Sequence, residues 1–245
     1  MAPGDCCVPP PAADYEGKGK EEVWDGIDVY TVGSSTSTSA VLFITDIYGW
    51  RVPQTRYLAD KIAAHGHYVA VPDLMHNDFY KNDDPTDEFS GLPTYLPRHS
   101  IPDARVKAAR VVEKLQSKGF KKIGVVGNCW GAKIIIPLLF GDKGVDAGVM
   151  QHPSFLTKEE VGAVKVPLAI LGARIDNITP PAVAEEYGEI LKASPEVGGK
   201  YKVRIFPEVT HGFTTRYDLE DDVAHGRACE AHDELLSWFA KYLSS

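Results

Sequence analysis

The sequence predicts an α/β architecture: a mostly parallel sheet with helices on both faces. Three observations point there. Short apolar, β-branched runs alternate with helical patterns along most of the chain. Several of these runs are apolar throughout, as strands covered on both faces are. The 245 residues are enough to bury a substantial core.

Residues Met1 to about Lys20 are rich in Pro, Gly and Ala and read as a flexible leader, with residues 21–245 forming one domain. The adjacent Cys6 and Cys7 in the leader have no second membrane signal beside them. Ile27 to Val32 alternates as a strand, GSSTSTS supplies a turn, and Ala40 to Thr45 is a buried strand, together predicting an antiparallel hairpin opening. A helix starts near Pro53 and ends at Gly66, with Tyr57, Leu58 and Ile62 on one face. Tyr68 to Val71 is the next strand. Met75 to Pro102 is an irregular stretch loaded with Pro, Gly, Asp and aromatics, the kind of long loop that covers a binding site. Asp103 is expected to cap a helix carrying Val106, Ala109, Val112 and Leu115, closed by Gly119. Strands follow at Lys122 to Val126, Ala147 to Met150, Pro167 to Leu171 and Tyr201 to Phe206, with helices near Pro180 to Lys192 and Val223 to Leu243.

Composition excludes several classes. Lys and Arg total 26 against 34 Asp and Glu, a net charge of −8, so no basic stripe offers itself to a phosphate backbone. The longest strongly apolar run, Ile134 to Phe140, is far shorter than the roughly 20 residues of a membrane span and is broken by Pro137. The N-terminus lacks the basic and apolar regions of a secretory signal, which makes a cytoplasmic location the expectation. Four cysteines, Cys6, Cys7, Cys129 and Cys229, are too few and too unevenly placed for a disulfide framework, and read as free thiols.

In a parallel sheet of this kind, chemistry sits at the carboxyl ends of the strands. After the strand ending at Val126 comes Gly127-Asn128-Cys129-Trp130-Gly131, a G-x-C-x-G leading into a helical run. Two glycines permit the sharp strand-to-helix turn that projects the central side chain, here a thiol at a helix N-terminus. Asp176 follows another strand, and His211 follows the last. Cysteine, acid and histidine thus stand in the chain order of an α/β-hydrolase triad.

On these residues the sequence resembles the dienelactone hydrolases, or carboxymethylenebutenolidases, from roughly Gly26 to Leu243. The resemblance rests on Thr45-Asp46-Ile47-Tyr48-Gly49, Val71-Pro72-Asp73-Leu74, the Cys129 elbow, Asp176 and His211-Gly212-Phe213. It implies an α/β-hydrolase fold that cleaves lactones or small esters with no metal or organic cofactor. Cys129 would attack the carbonyl, His211 would move the proton and Asp176 would orient His211. The backbone N–H groups of Ile47 and Trp130 would form the oxyanion hole. Asp46 matches a position where an acidic residue, usually Glu, touches the resting thiol. Arg216, five residues after His211, matches with an offset an arginine that holds a substrate carboxylate, whereas Met75-His76-Asn77 lacks the second such arginine. A lactone or small ester other than dienelactone itself is therefore the expected substrate.

Tyr48, Trp50, Phe79, Tyr80 and His152 are candidate pocket walls, each equally readable as core or loop packing. Trp130 is another such aromatic. His225, Cys229 and His232 share one stripe of the last helix, without an evident fourth ligand for a metal, so no metal site is expected. His65 and His67 flank Gly66 at a helix end. Partners are restricted to a small ester or lactone, with no nucleic acid and no membrane, and the chain is expected to be a monomer or weak homodimer. Two other functions stay in view. One is glucan hydrolysis, a label some plant relatives of the family carry, although no pair of carboxylates at the required 5 to 9.5 Å or so is singled out. The other is a ligand-binding or redox-sensing module on the same scaffold.

Overall fold

The computed structural model describes residues 10–81, 84, 86–87 and 89–244. Cys6, Cys7 and the first nine residues of the expected leader lie outside them.

In chain order the elements are β1 (Lys20–Trp24), β2 (Ile27–Val32), β3 (Ser39–Ile44), α1 (Pro53–Ala64), β4 (Tyr68–Pro72), α2 (Leu92–Tyr95) and α3 (Ile101–Ser117). Then follow β5 (Lys122–Asn128), α4 (Trp130–Ile135), β6 (Ala147–Gln151), α5 (Lys158–Gly162), β7 (Leu168–Ile175), α6 (Pro181–Ala193), β8 (Tyr201–Thr210) and α7 (Asp222–Tyr242). The strands form one eight-stranded sheet in the order β1-β2-β4-β3-β5-β6-β7-β8. From β4 onward in that order every pairing is parallel, while β1 and β2 are antiparallel additions at one edge.

Strand periodicity divides the core in two. Ala40, Leu42 and Ile44 of β3 join a cluster with α3, α4 and α6, whereas Val41 and Phe43 join one with α1 and α7. Leu42 and Phe43 are fully buried on opposite faces, and each contributes roughly 1.5–3 kcal/mol by leaving water. Because β4 and β5 lie on opposite sides of β3, the chain reverses its winding there. The ends of β3 and β5 therefore open side by side at the switch point where such sheets bind ligands.

Four expectations change. The opening hairpin joins β1 to β2, not β2 to β3, and its tight turn is Asp25-Gly26, both residues at positive φ. Asp-Gly is the residue pair that such a two-residue turn favours. Ser100, not Asp103, caps α3: its hydroxyl accepts the Asp103 N–H at 3.3 Å. The buried face of α3 runs through Ala104, Ala108, Val111, Val112 and Leu115, leaving Val106 exposed. Packing also begins short of the expected Lys20 boundary. The buried Asp60 carboxylate of α1 accepts from the Tyr15 hydroxyl (2.5 Å), the Lys18 N–H (2.8 Å) and the Tyr30 hydroxyl (2.5 Å).

Candidate active site

The elbow between β5 and α4 is built by two close backbone approaches. A Cβ on Gly131 would lie 2.4 Å from the Ile44 carbonyl oxygen, and one on Gly127 would lie 2.7 Å from the Ala132 nitrogen. No side chain larger than hydrogen fits either position. Cys129 itself sits at φ 50°, a left-handed conformation that costs a non-glycine residue about 1–3 kcal/mol and is typical of functional turns. Its N–H donates to the Gln151 carbonyl and its carbonyl accepts from Ser154 N–H, both at 3.1 Å, which ties the turn to the end of β6. An elbow thiol is expected to be partly exposed, yet Cys129 is only 4% exposed.

Asp176 and His211 are brought together by strand register. Ile175 of β7 pairs with Thr210 of β8 beyond an irregularity at Ala173–Ile175, so the next residues of the two strands are neighbours. His211 Nδ1 lies 2.8 Å from Asp176 Oδ2. The other oxygen of Asp176 accepts the N–H groups of Ile178 (2.8 Å) and Thr179 (3.0 Å), which fixes the carboxylate. The imidazole then interacts with Cys129, and the Ser154 hydroxyl bridges the two, 3.2 Å from Sγ and 3.4 Å from Nε2. Burial disfavours a charge on His211, but the nearby Cys129 and Asp176 outweigh it and push the histidine up to about 10.

His152 packs edge-on to the His211 ring with 5.1 Å between centroids, and its Nε2 meets Thr214 Oγ1 at 2.8 Å. It is fully buried; desolvation first, then the His211 and Arg216 charges, hold it well below the ordinary histidine range. It is thus a neutral wall beside the His211 ring.

Asp46 departs from its expected contact with the thiol. Its Oδ1 accepts the Tyr48 N–H at 3.0 Å, and its Oδ2 pairs with Arg216 Nε at 2.9 Å, while the Cys129 side chain meets Ser154 and His211. One methylene shorter than glutamate, the side chain is consumed within its own loop and by Arg216. Arg216 is correspondingly not a bare cation: it is ion-paired and lies over the Tyr48 ring at 4.5 Å. Gly212, at φ 91°, leaves room for it, since a Cβ there would lie 2.1 Å from the guanidinium.

Ile47 lies between these groups. The Asp46 carbonyl accepts from Thr45 Oγ1 (3.0 Å) and Gly49 N–H (3.3 Å), so the Ile47 N–H on the same trans peptide points the opposite way. The Ile47 carbonyl accepts from Tyr80 N–H (2.9 Å) and the Tyr95 hydroxyl (3.3 Å), anchoring the long connection after β4 to this loop. From that connection Phe89 reaches His211, ring edge to ring face at 6.0 Å, so its described residues do border the site. Phe79 lies against Gly49, and Tyr80 meets Tyr48 edge-on at 5.6 Å. Trp50 is different: it is fully buried in the core shared with α1 and α7, beneath the Arg51 and Arg56 guanidinium groups, and is no pocket wall. The Trp130 side chain is likewise core, packed with α3 and α4.

On α7, Cys229 and His225 touch at 3.4 Å, but Lys61 Nζ lies against Cys229 (3.9 Å) and His232 Nδ1 (3.4 Å), so an ammonium ion holds the place a metal would take. His232 spends its other nitrogen on the Thr214 carbonyl, and burial lowers it to about 3. His67, at the start of β4, is a packed residue bonded to Ser39, and His65 bonds the Lys61 carbonyl. Ser154 is the site residue that sequence reasoning passed over. A serine two residues past His152 carries no motif, and its position emerges only when β5 and β6 end side by side. No helix among the described residues is long and apolar enough to cross a membrane.

A mostly parallel sheet with a sharp strand-to-helix turn at its switch point and Asp and His after the last two strands is the architecture of an α/β hydrolase. The profile of the dienelactone hydrolase family matches residues 27–243, and the chain belongs to that family of ester and lactone hydrolases. Hydrolase tropI of Talaromyces stipitatus is 31% identical over 238 residues, covering 92% of this chain and 91% of that protein. A carboxymethylenebutenolidase homolog of Mus musculus is 29% identical over 94% of each chain. Among solved structures, a dienelactone hydrolase from Anabaena variabilis superposes with a TM-score of 0.64 at 18% identity, over 92% of this chain and 99% of that one.

Proposed function

We propose that the chain hydrolyses small lactones or esters through a Cys129–His211–Asp176 triad. The observation that carries this is the continuous link from Asp176 Oδ2 to His211 (2.8 Å) and on to the Cys129 sulfur, at the carboxyl edge of the sheet. In this reading Cys129 gives its proton to His211 and attacks the acyl carbonyl. The oxyanion is received by the N–H groups of Ile47 and Trp130. His211 then protonates the leaving alkoxide, which for a lactone remains attached as the hydroxyl end of the acyl chain. Water activated by His211 attacks the thioester and frees the acid and the thiol. Every step uses groups of this chain. Because Asp46 already neutralises Arg216, the acyl group that fits best carries no carboxylate of its own.

Mass spectrometry of the protein trapped with a panel of neutral lactones and activated esters tests the reading. The acyl mass is expected on the Cys129 peptide, and to vanish in Cys129→Ala. Turnover that persists in that variant would discard it, and release of reducing sugar from glucans without acylation would favour a glycosidase.

A further inference from the structure

We propose that Ser154 is the hydroxyl through which the Cys129 proton passes to His211, and which holds the resulting thiolate–imidazolium pair. The inference rests on the triad reading above and assigns a role to a residue outside it. Ser154 Oγ lies within hydrogen-bond distance of both reacting groups, 3.2 Å from Cys129 Sγ and 3.4 Å from His211 Nε2, and so bridges a thiol and an imidazole that also interact directly. A buried serine usually spends its hydroxyl on a nearby backbone carbonyl. This one, fully buried, has the two reacting side chains as its partners.

The surrounding chain is shaped to keep it there. Ser154 N–H donates to the Cys129 carbonyl at 3.1 Å, so serine and cysteine are locked to each other through the backbone as well. The carbonyl just before it, that of Pro153, accepts the Thr179 hydroxyl at 2.7 Å, and Thr179 N–H donates to Asp176 Oδ1 at 3.0 Å. One small network therefore positions the acid, the relay and the nucleophile. The two end residues of the His152–Phe155 turn are strained: His152 at φ 36° and Phe155 at φ 61° are both non-glycine residues in the left-handed region. Phe155 is 42% exposed, so packing of its own side chain does not account for the strain.

The proton balance is simple. The Cys129 S–H proton moves to Ser154 Oγ as the Ser154 O–H proton moves to His211 Nε2. The products are a thiolate, a regenerated serine hydroxyl and an imidazolium, with no change in oxidation state. The hydroxyl then donates to the thiolate and accepts from Nε2–H, and a hydrogen bond to an ion favours the ionised form. On this arrangement the thiolate is released from Ser154 only when a carbonyl arrives to take its place.

The test follows alkylation of the Cys129 peptide by iodoacetamide against pH, read by mass spectrometry so that the other cysteines do not interfere. Ser154→Ala is expected to move the midpoint of the profile up by about one pH unit, making alkylation roughly tenfold slower below it. Ser154→Thr keeps the hydroxyl and is expected to restore the midpoint. An alanine variant that folds and alkylates with the wild-type profile overturns the relay, as does a threonine variant with native melting behaviour and the alanine profile. If alanine fails to fold, Ser154→Gly removes the same hydroxyl and carries the same expectation. The two readings fail separately. Absence of any acyl group on Cys129 defeats the triad whatever Ser154 does, whereas acylation with an unmoved Ser154→Ala profile defeats the relay alone.

Discussion

Arg216 Nε lies 2.9 Å from Asp46 Oδ2, joining the turn after β8 to the loop after β3 across 170 residues of chain. The Asp46 side chain is 1% exposed, so this ion pair is almost entirely shielded from water on the carboxylate side. Arg216→Met is expected to destabilise the fold by roughly 3–5 kcal/mol, since it strands a buried carboxylate. Adding Asp46→Asn should return most of the loss, and equilibrium urea unfolding of the two variants measures both. Equal stability of the single variant and the parent would mean that the carboxylate finds other solvation.

The thiol is buried, so its removal is felt slightly. Cys129→Ala is expected to abolish ester turnover while costing about 1 kcal/mol, near the value of a single buried methylene-sized group. Cys129→Ser keeps the shape but has a far less acidic group, and should retain weak activity. Full turnover by the alanine variant together with a large fall in melting temperature would show the cysteine to be structural.

Glycines in this chain divide by what a methyl would meet. Gly131→Ala places Cβ against the Ile44 and Thr45 carbonyl oxygens and should collapse the elbow, giving insoluble or strongly destabilised protein. Gly226→Ala, in the first half of α7 with open space around it, should stabilise by about 0.5–1 kcal/mol. Thermal unfolding of the two variants decides whether backbone approach or helix propensity governs each position.

His211 is raised from about 6.5 in the unfolded chain to about 10 in the folded one. A raised histidine stabilises the folded state fully below the lower value, and the contribution fades as pH rises through the upper one. The melting-temperature gap between wild type and His211→Gln is therefore expected to be widest near pH 6 and to narrow steadily between pH 6.5 and 10. A gap that widens with pH would mean that the imidazole is neutral in the folded protein.

Much of this was legible because it is local. Gly127, Cys129 and Gly131 announce a sharp turn within five residues, and the apolar runs of β3, β4 and β5 are strands on composition alone. Asp176 and His211 stand out in the sequence because each follows a strand, although β7 and β8 run several residues beyond the apolar runs and it is that extension that pairs Ile175 with Thr210. Relations across the sheet were not legible. The order β2-β4-β3 separates strands that are consecutive in sequence, so the Asp25-Gly26 hairpin was missed in favour of the next turn. Ser154 meets Cys129 through two neighbouring strand ends, and no periodicity marks it. Trp50 and Tyr48 look alike as aromatics two residues apart, yet they end in different layers because the loop turns between them at Gly49.

The contacts at Asp60 carry a practical warning for anyone trimming this chain. The glycine- and proline-rich stretch ahead of β1 resembles a disposable tail, and Lys20 looks like a natural place to begin. Cutting there would take away the Tyr15 hydroxyl and the Lys18 N–H and leave Tyr30 as the remaining donor to a buried carboxylate on α1. It would also remove the Glu16 carbonyl that receives Arg56 at 2.7 Å. A shortened protein starting at Lys20 should express less well than one starting at Ala12, even though every residue of the proposed catalytic machinery is untouched.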